Sequence, residues 1–131
     1  MDFFIRFSKD ISYGDGCSTF CKYKDIRKFF LKSIQKQDNY FYYTKRIKDE
    51  QLEKGSKFYF VFLDKLVAMA ELNDIKVLER EREDKFDYGY NIKKIKVFGL
   101  DPENQGFNKI HGSVSIIEVK EKHHDKLKEI V

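Results

Sequence analysis

GSKFYFVFLDKLVAMAEL, residues 55–72, predicts two buried strands joined by a tight turn. The first strand, 58–63, is aromatic, and a short apolar run of this kind is typical of a buried strand. The charged pair Asp64–Lys65 interrupts the apolar run, so we expect the turn there. The second strand ends in the small residues Ala68 and Ala70. We expect the rings of this hairpin in the core, so the hairpin indicates an architecture and carries no chemistry of its own.

Strand and helix patterns lie on both sides of this hairpin. The pattern predicts strands at 3–8, 39–44, 72–82, 90–98 and 113–119, and helices at 24–36 and 121–131. In the strand 90–98, the spacing of Ile92, Ile95 and Val97 indicates a bulge. Helices do not alternate regularly with strands, which disfavours a doubly wound sheet. The pattern favours an α+β fold, a small, mixed, mostly antiparallel β-barrel with flanking helices.

The composition fits one soluble domain spanning residues 1–131. Aromatic residues make up 16% of the chain, which supplies enough apolar area for a core. No apolar run approaches the ~20 residues that span a membrane, and the start of the chain lacks the pattern of a signal peptide. We therefore expect a cytoplasmic protein without a membrane partner. The formal net charge of +4 permits a nucleic-acid partner but does not require one.

Cysteine and histidine give little indication of a metal site. Cys17 and Cys21 lack a second cysteine pair that would complete a zinc site. His123 and His124 are adjacent and point to different sides of a helix, so they cannot easily share a metal with His111. We expect these histidines on a surface helix, and we expect no cofactor.

An aromatic-rich pocket is the first candidate site. Rings cluster in the sequence around the early loop and the second strand, at Tyr13, Phe20, Tyr23, Tyr40, Tyr42 and Tyr43. Bases stack on such rings at roughly 1–3 kcal/mol each. Lysines that could meet phosphates are Lys9, Lys22, Lys24 and Lys45. Tyr42 and Tyr43 point to opposite faces of a strand, so only one of them can line a pocket. The alternative is that these rings form core.

A metal-dependent nuclease is a second candidate. Such enzymes often combine an Asp with a Glu-x-Lys, where the carboxylates bind the metal and the lysine helps to position the attacking water. Asp101 and the pair Glu118 and Lys120 have a tolerable spacing for this arrangement. In such folds the Glu-x-Lys strand is central and more sheet follows, whereas here only a short helix is predicted after it.

Three stretches resemble the PUA-like superfamily, and within it the EVE, YTH and ASCH-type domains. The first is the opening strand FFIRFSK at 3–9, with the small-residue run Cys17-Ser18-Thr19 after it. The second is the turn at 54–57 that leads into the aromatic strand, together with the return strand VAMAE at 67–71. The third is GSVSIIE at 112–118 with its terminal helix. The resemblance spans nearly the whole chain and implies a PUA-like barrel.

The resemblance also implies a function and site residues. Such domains bind nucleic acid, DNA or RNA, and often hold one modified base in a pocket between barrel strands. Carried onto this chain, the pocket residues are Ser8, Lys9, Ser18 and Thr19, with Tyr13 or Tyr42 as the stacking ring. Lys22, Lys24 and Lys45 are the expected phosphate contacts.

The prediction is therefore a nucleic-acid-binding domain that reads a modified base and performs no chemistry. Two alternatives remain open. One is the nuclease built on Asp101, Glu118 and Lys120. The other is a protein-interaction module of a defence or toxin–antitoxin system.

Overall fold

Six strands and two short helices make up the described part of the chain. The computed structural model describes residues 1–9, 20–43, 53–77, 88–99, 105–107, 116–128 and 130. The strands are β1 (Phe3–Phe7), β2 (Tyr40–Tyr43), β3 (Lys57–Phe62), β4 (Lys65–Val77), β5 (Tyr88–Val97) and β6 (Ile116–Glu118). The helices are α1 (Tyr23–Leu31) and α2 (His124–Lys128), and 3-10 turns occupy Ser33–Gln37 and Glu121–His123.

These strands form one mixed sheet in the order β2-β5-β4-β3-β1-β6. β1 runs parallel to β3, and the other paired strands are antiparallel. The sheet is curled into a half-barrel with the two short helices, which is a small α+β fold. The predicted fold class, including the mostly antiparallel mixed sheet, is confirmed.

The hairpin from which the prediction started is formed by β3 and β4. Phe58 opposes Ala70 and Phe60 opposes Ala68, so each large ring lies beside a small residue. The turn falls one residue earlier than expected, because Leu63 (φ 45°) and Asp64 (φ 72°) are its central residues. Two left-handed residues match the twist of a two-residue hairpin turn, and Lys65 then begins β4.

The concave side of the sheet holds the larger core, which we call the inner face. Phe7 of β1 stacks on Phe60 of β3, with ring centroids 5.5 Å apart and planes inclined by 5°. Phe30 of α1 packs against both rings, with its centroid 4.6 Å from that of Phe60 and 5.8 Å from that of Phe7. Phe41 of β2 closes the group against Phe60 at 5.3 Å. All four rings are buried, which confirms the expectation that the hairpin's rings are core.

α1 is shorter than the predicted helix 24–36 and buries one apolar face. Ile26, Phe29 and Phe30 are buried, and Ile34 remains buried in the 3-10 turn that follows. At the helix start, Asp25 Oδ2 accepts hydrogen bonds from the backbone N–H groups of Lys22 and Cys21. These two bonds hold the pKa of Asp25 below its usual value, because they favour the ionised carboxylate.

The opposite side, the outer face, carries a smaller apolar cluster. Its buried members are Phe4, Tyr59, Val61, Leu66, Phe98, Phe107 and Leu127, the last contributed by α2. The backbone N–H of Phe107 donates to the carbonyl of Asp64, and that of Gly106 donates to Asp64 Oδ2. The hairpin turn therefore anchors the segment that covers this part of the outer face.

The end of the chain corrects one expectation. In place of the predicted helix 121–131, the structure has a 3-10 turn followed by the five-residue α2, and Leu127 and Ile130 pack against the apolar cluster. His123 was expected on the surface but is only 7% exposed. Its ring meets Phe4 edge-on at 5.2 Å, and its Nδ1 accepts a hydrogen bond from the backbone N–H of Lys120. The 3-10 turn before α2 lies close enough to the sheet for the His123 ring to be buried.

Replacing Phe60 should test the role of the inner face. Phe60→Ala is expected to lower the free energy of unfolding by about 3–5 kcal/mol, because it leaves a cavity among rings of β1, β2 and α1. Leu31→Ala is the matched control, since Leu31 is 53% exposed, and it should change stability by less than about 0.5 kcal/mol. Urea unfolding followed by circular dichroism measures both. Equal effects of the two substitutions would contradict this view of the core.

The burial of His123 predicts a pH dependence of stability. Burial, followed by the charges of Lys122, Lys120 and His124, lowers its pKa below the usual 6.5. The unfolded chain then binds a proton that the folded chain resists, so stability should be complete above pH 6.5 and fall as the pH decreases below it. His123→Gln should flatten this decrease, while His124→Gln, at an exposed position, should retain it. Thermal unfolding between pH 7.5 and 5 measures the difference; identical profiles for His123→Gln and the unsubstituted protein would refute the assignment.

Candidate nucleic-acid interface

Five lysines project from the outer face of β3, β4 and β5, and we call this set the lysine face. The register aligns Lys57 with Glu71 and Glu71 with Lys93 across the three strands. Met69, which packs against the outer cluster, lies opposite Lys96, so these side chains share the outer face. All members are exposed: Lys57, Lys76, Lys93, Lys94 and Lys96.

A bulge in β5 brings three of these lysines together. Met69 pairs with Lys96 and Glu71 pairs with Lys93, so two residues of β5 oppose the single Ala70. Lys94 is the extra residue of the bulge, and its φ of 52° lies in the left-handed region. Without the bulge, strict alternation would turn Lys94 and Lys96 towards the core. The bulge keeps the neighbouring isoleucines and Val97 against the inner core and places the lysines outside.

Few acidic groups oppose the charge of this face. Lys94 Nζ lies 3.4 Å from Glu71 Oε2, and this pair is partly exposed. Asp74 is exposed on the same strand, and its Oδ1 accepts a hydrogen bond from the backbone N–H of Ile75. Five lysines thus face two carboxylates among the described residues of these strands. The surface is an electropositive strip along the sheet.

Aromatic rings border the strip at β2. Lys76 Nζ lies 4.2 Å from the ring centroid of Tyr40 and 5.5 Å from that of Tyr42. Tyr42 lies across from Gly89, where a Cβ would come within 3.2 Å of its ring. The glycine therefore lets the tyrosine ring lie flat beside the strand, under the Lys76 side chain. Proteins that bind single-stranded nucleic acids combine cations, which contact the backbone phosphates, with aromatic rings, on which bases stack.

A cavity of about 320 Å³ opens beside the strip, where β3 begins and α2 packs on the sheet. Its polar lining comes from Lys57, His124 and Lys128. Its apolar lining comes from Tyr59, Val119 and Leu127, and Asp2 completes the described wall. Burial, and secondarily the charge of Asp2, raises the pKa of Tyr59, because both disfavour the ionised phenolate. The cavity is thus predominantly basic with an apolar floor.

The residues of the predicted pocket are only partly described. Ser8 and Lys9 are exposed just after β1, and Lys22 and Lys24 are exposed at the start of α1. Phe7 contacts Phe20 at 6.0 Å, so the end of β1 lies close to the segment that leads into α1. Tyr13, Ser18, Thr19 and Lys45 lie outside the described residues.

Two of the three tyrosines of β2, Tyr42 and Tyr43, point to opposite faces of the sheet, as the alternation requires. Tyr43 points to the inner face, and its hydroxyl donates to the carbonyl of Arg6 near the end of β1. Tyr42 points to the outer face and is 7% exposed. Of this pair, Tyr43 is the one that contacts the strand preceding Ser8, and Tyr42 belongs to the border of the lysine face.

The nuclease residues are not brought together in what is described. Asp101 lies outside the described residues, Glu118 is half-buried opposite Phe3, and Lys120 is exposed beyond β6. Within the described ranges, no three His, Cys, Asp or Glu residues lie close enough to hold a metal ion. Cys17 is also outside these ranges, and Cys21 is exposed. No helix in them has the length and apolar character needed to cross a membrane.

Sequence reasoning missed the lysine face, although its signal is visible. The run Lys93-Lys94-Ile95-Lys96 was interpreted only as a strand with a bulge. The bulge alone implies that every lysine of the run faces away from the core. The alignment of these lysines with Lys57 across the sheet, however, follows only from the order of the strands.

No family model and no curated protein matches this chain. Two solved structures resemble it over almost its full length. A tyrosine-to-phenylalanine mutant of ZmASCH from Zymomonas mobilis aligns with a TM-score of 0.58 and 8% identity, covering 99% of each chain. ASCH from Zymomonas mobilis aligns with a TM-score of 0.54 and 9% identity, covering 99% of this chain and 96% of that one. At such low identity the likeness concerns the fold alone, and the chain has the fold of these ASCH structures.

Proposed function

We propose that this protein is a nucleic-acid-binding domain and that the lysine face is its main contact surface. The observation that carries the proposal is the concentration of five exposed lysines, against two carboxylates, on three adjacent strands. The ASCH-type fold supports the same assignment. Lysine side chains neutralise phosphates and release counterions, which gives binding without sequence preference.

The geometry of the sheet suits an extended strand. Neighbouring β-strands lie about 4.8 Å apart, so Lys57 and Lys93, two strands apart, have backbones separated by roughly 10 Å. Their long side chains can adjust to phosphates along a flexible backbone, while Tyr40 at the border offers a half-buried ring. The strip therefore favours a single strand lying across β3, β4 and β5.

Removing the clustered lysines should weaken binding and its salt dependence. The triple variant Lys93→Gln, Lys94→Gln, Lys96→Gln is expected to reduce the slope of log K against log salt by about 2, since each phosphate contact to a single strand contributes about 0.7. Fluorescence anisotropy with labelled RNA and DNA oligonucleotides, from 50 to 200 mM salt, measures the slope.

The matched control removes the same charge from another surface. Lys28, Lys32 and Lys36 are exposed on and after α1, and their triple replacement by Gln changes the net charge equally. It should leave the slope nearly unchanged. Equal losses for the two triple variants would show that net charge alone drives binding, and a complete absence of salt-sensitive binding would reject the proposed function.

We further propose that a modified base is recognised at the end of β1. The proposed pocket comprises Ser8, Lys9, Tyr13, Ser18 and Thr19, with Tyr13 as the stacking ring and Lys22, Lys24 and Lys45 on phosphate, whereas Tyr42 belongs to the border of the lysine face. The exposure of Ser8 and Lys9, and the closeness of the β1 end to the start of α1, support this placement. Hydroxyl groups of this kind would hydrogen-bond the edge of an extruded base.

Base recognition predicts a selective loss on replacing Ser8. Ser8→Ala should reduce the preference for a methylated over an unmodified oligonucleotide by about fivefold, since one hydrogen bond contributes about 1 kcal/mol. Affinity for the unmodified strand should stay nearly constant. Ser33→Ala, in the 3-10 turn after α1, is the control and should leave the preference intact. Competition binding with a panel of methylated adenine and cytosine oligonucleotides measures the ratio, and equal binding of every modified and unmodified pair would reject base reading.

A further inference from the structure

We propose that the 320 Å³ cavity beside Lys57 binds one nucleotide through a phosphate monoester, either as a free nucleoside monophosphate or at the end of a strand. The strand-end form rests on the proposed nucleic-acid binding, whereas the free-nucleotide form does not. The cavity lies on the outer face between β3 and α2, away from the end of β1 where base reading is proposed.

The rim of the cavity is built by hydrogen bonds that exist without a ligand. Asp2 Oδ1 accepts the backbone N–H of Lys57 at 2.8 Å. The carbonyl of Asp2 accepts the backbone N–H of Val119 at 2.8 Å. These bonds join the residue before β1 to the start of β3 and the end of β6. A site whose walls are fixed in advance loses little conformational entropy on binding.

The charges of the lining favour an anion. Lys57 and Lys128 are exposed cations, and His124 adds a ring N–H donor. The described wall has one carboxylate, that of Asp2, and one of its oxygens already accepts the Lys57 N–H. Three donor side chains around one opening match the three terminal oxygens of a phosphate monoester, which carries more charge than an internal diester.

The apolar floor favours a ligand with a flat, hydrophobic part. Tyr59 and Leu127 are each 6% exposed, and Val119 is half-buried. The Tyr59 ring packs against Phe4, with ring centroids 5.8 Å apart and planes inclined by 47°, so the floor is held in place by the outer cluster. A volume of about 320 Å³ lies at the small end of ligand pockets, which run from about 300 to 1,000 Å³. It suits one nucleotide rather than several.

Lys57 connects this cavity to the lysine face. Its backbone pairs with Glu71, which pairs in turn with Lys93, so the cavity lies at the β3 side of the electropositive strip. A strand lying on the strip would place its terminus at the cavity. The extra charge of a terminal phosphate would then distinguish strand ends from internal positions.

Nuclear magnetic resonance titration with mononucleotides tests the site directly. Adenosine and uridine 5′-monophosphates should shift the backbone amides of Lys57, Tyr59 and Val119 in a saturable manner. Adenosine without phosphate should bind at least about tenfold more weakly, equivalent to about 1.4 kcal/mol. The absence of saturation at millimolar nucleotide, or shifts confined to another surface, would overturn the inference.

Variants of the exposed cations test the assigned donors without disturbing the core. Lys57→Gln and Lys128→Gln should each raise the Kd for adenosine 5′-monophosphate about tenfold. Lys54→Gln is the control, because Lys54 is exposed three residues before Lys57 but does not line the cavity. An unchanged Kd in both cavity variants, or an equal loss in Lys54→Gln, would refute the assignment.

Oligonucleotides with and without a terminal phosphate distinguish the two sources. If the cavity binds strand ends, a 5′- or 3′-phosphorylated oligonucleotide should bind more tightly than its hydroxyl counterpart, and Lys128→Gln should remove that difference. If mononucleotides bind but terminal phosphates bring no gain, the free nucleotide is the ligand. Binding of oligonucleotides without either effect would overturn the inference and leave the proposed function intact. Binding of mononucleotides with no oligonucleotide binding would do the reverse.

Discussion

The stacking of Phe7 on Phe60 is the contact on which the other elements depend. It joins β1 to β3 in parallel, and rings from α1 and β2 pack around the same pair. β1 and β2 are separated by three strands in the sheet, yet Phe7 also meets Phe41 at 5.6 Å. The sheet must therefore curl around these rings. This curvature gives the sheet a closed, apolar inner face and an outer face that carries the exposed lysines.

Alternation along the strands places apolar residues on the inner face and lysines on the outer face, and the bulge in β5 extends this separation to Lys94 and Lys96. The phenylalanines of β3 face the inner core, while the intervening positions face the outer cluster or solvent. In β5 the left-handed Lys94 resets the alternation, so that a single extra residue decides whether lysines point outward. α2 packs on the outer face, where its Leu127 covers part of the apolar cluster. The lysine face beside it stays exposed. The cavity lies between the start of β3 and α2.

The local parts of this fold could be predicted from the sequence, and the long-range parts could not. The aromatic run of the hairpin and the spacing of Ile26, Phe29 and Phe30 indicate their structures because neighbouring residues determine them. The parallel pairing of β1 with β3 joins distant segments, so no local pattern specifies it. The burial of His123 and the alignment of Lys57 with Lys93 follow from that sheet order. They became visible only in the assembled structure, as did the cavity between strands and α2.

The position of β1 between β3 and β6 has a consequence for how the chain folds. Its partners lie at residues 57–62 and 116–118, so its backbone pairs with segments about 55 and 113 positions away. Contacts of such high sequence separation raise the contact order, which slows folding because loop entropy is lost before the contacts form. Until those partners arrive, the apolar segment FFIRF has unsatisfied edges on both sides. Until both partners have formed, the chain is therefore exposed to self-association through this strand.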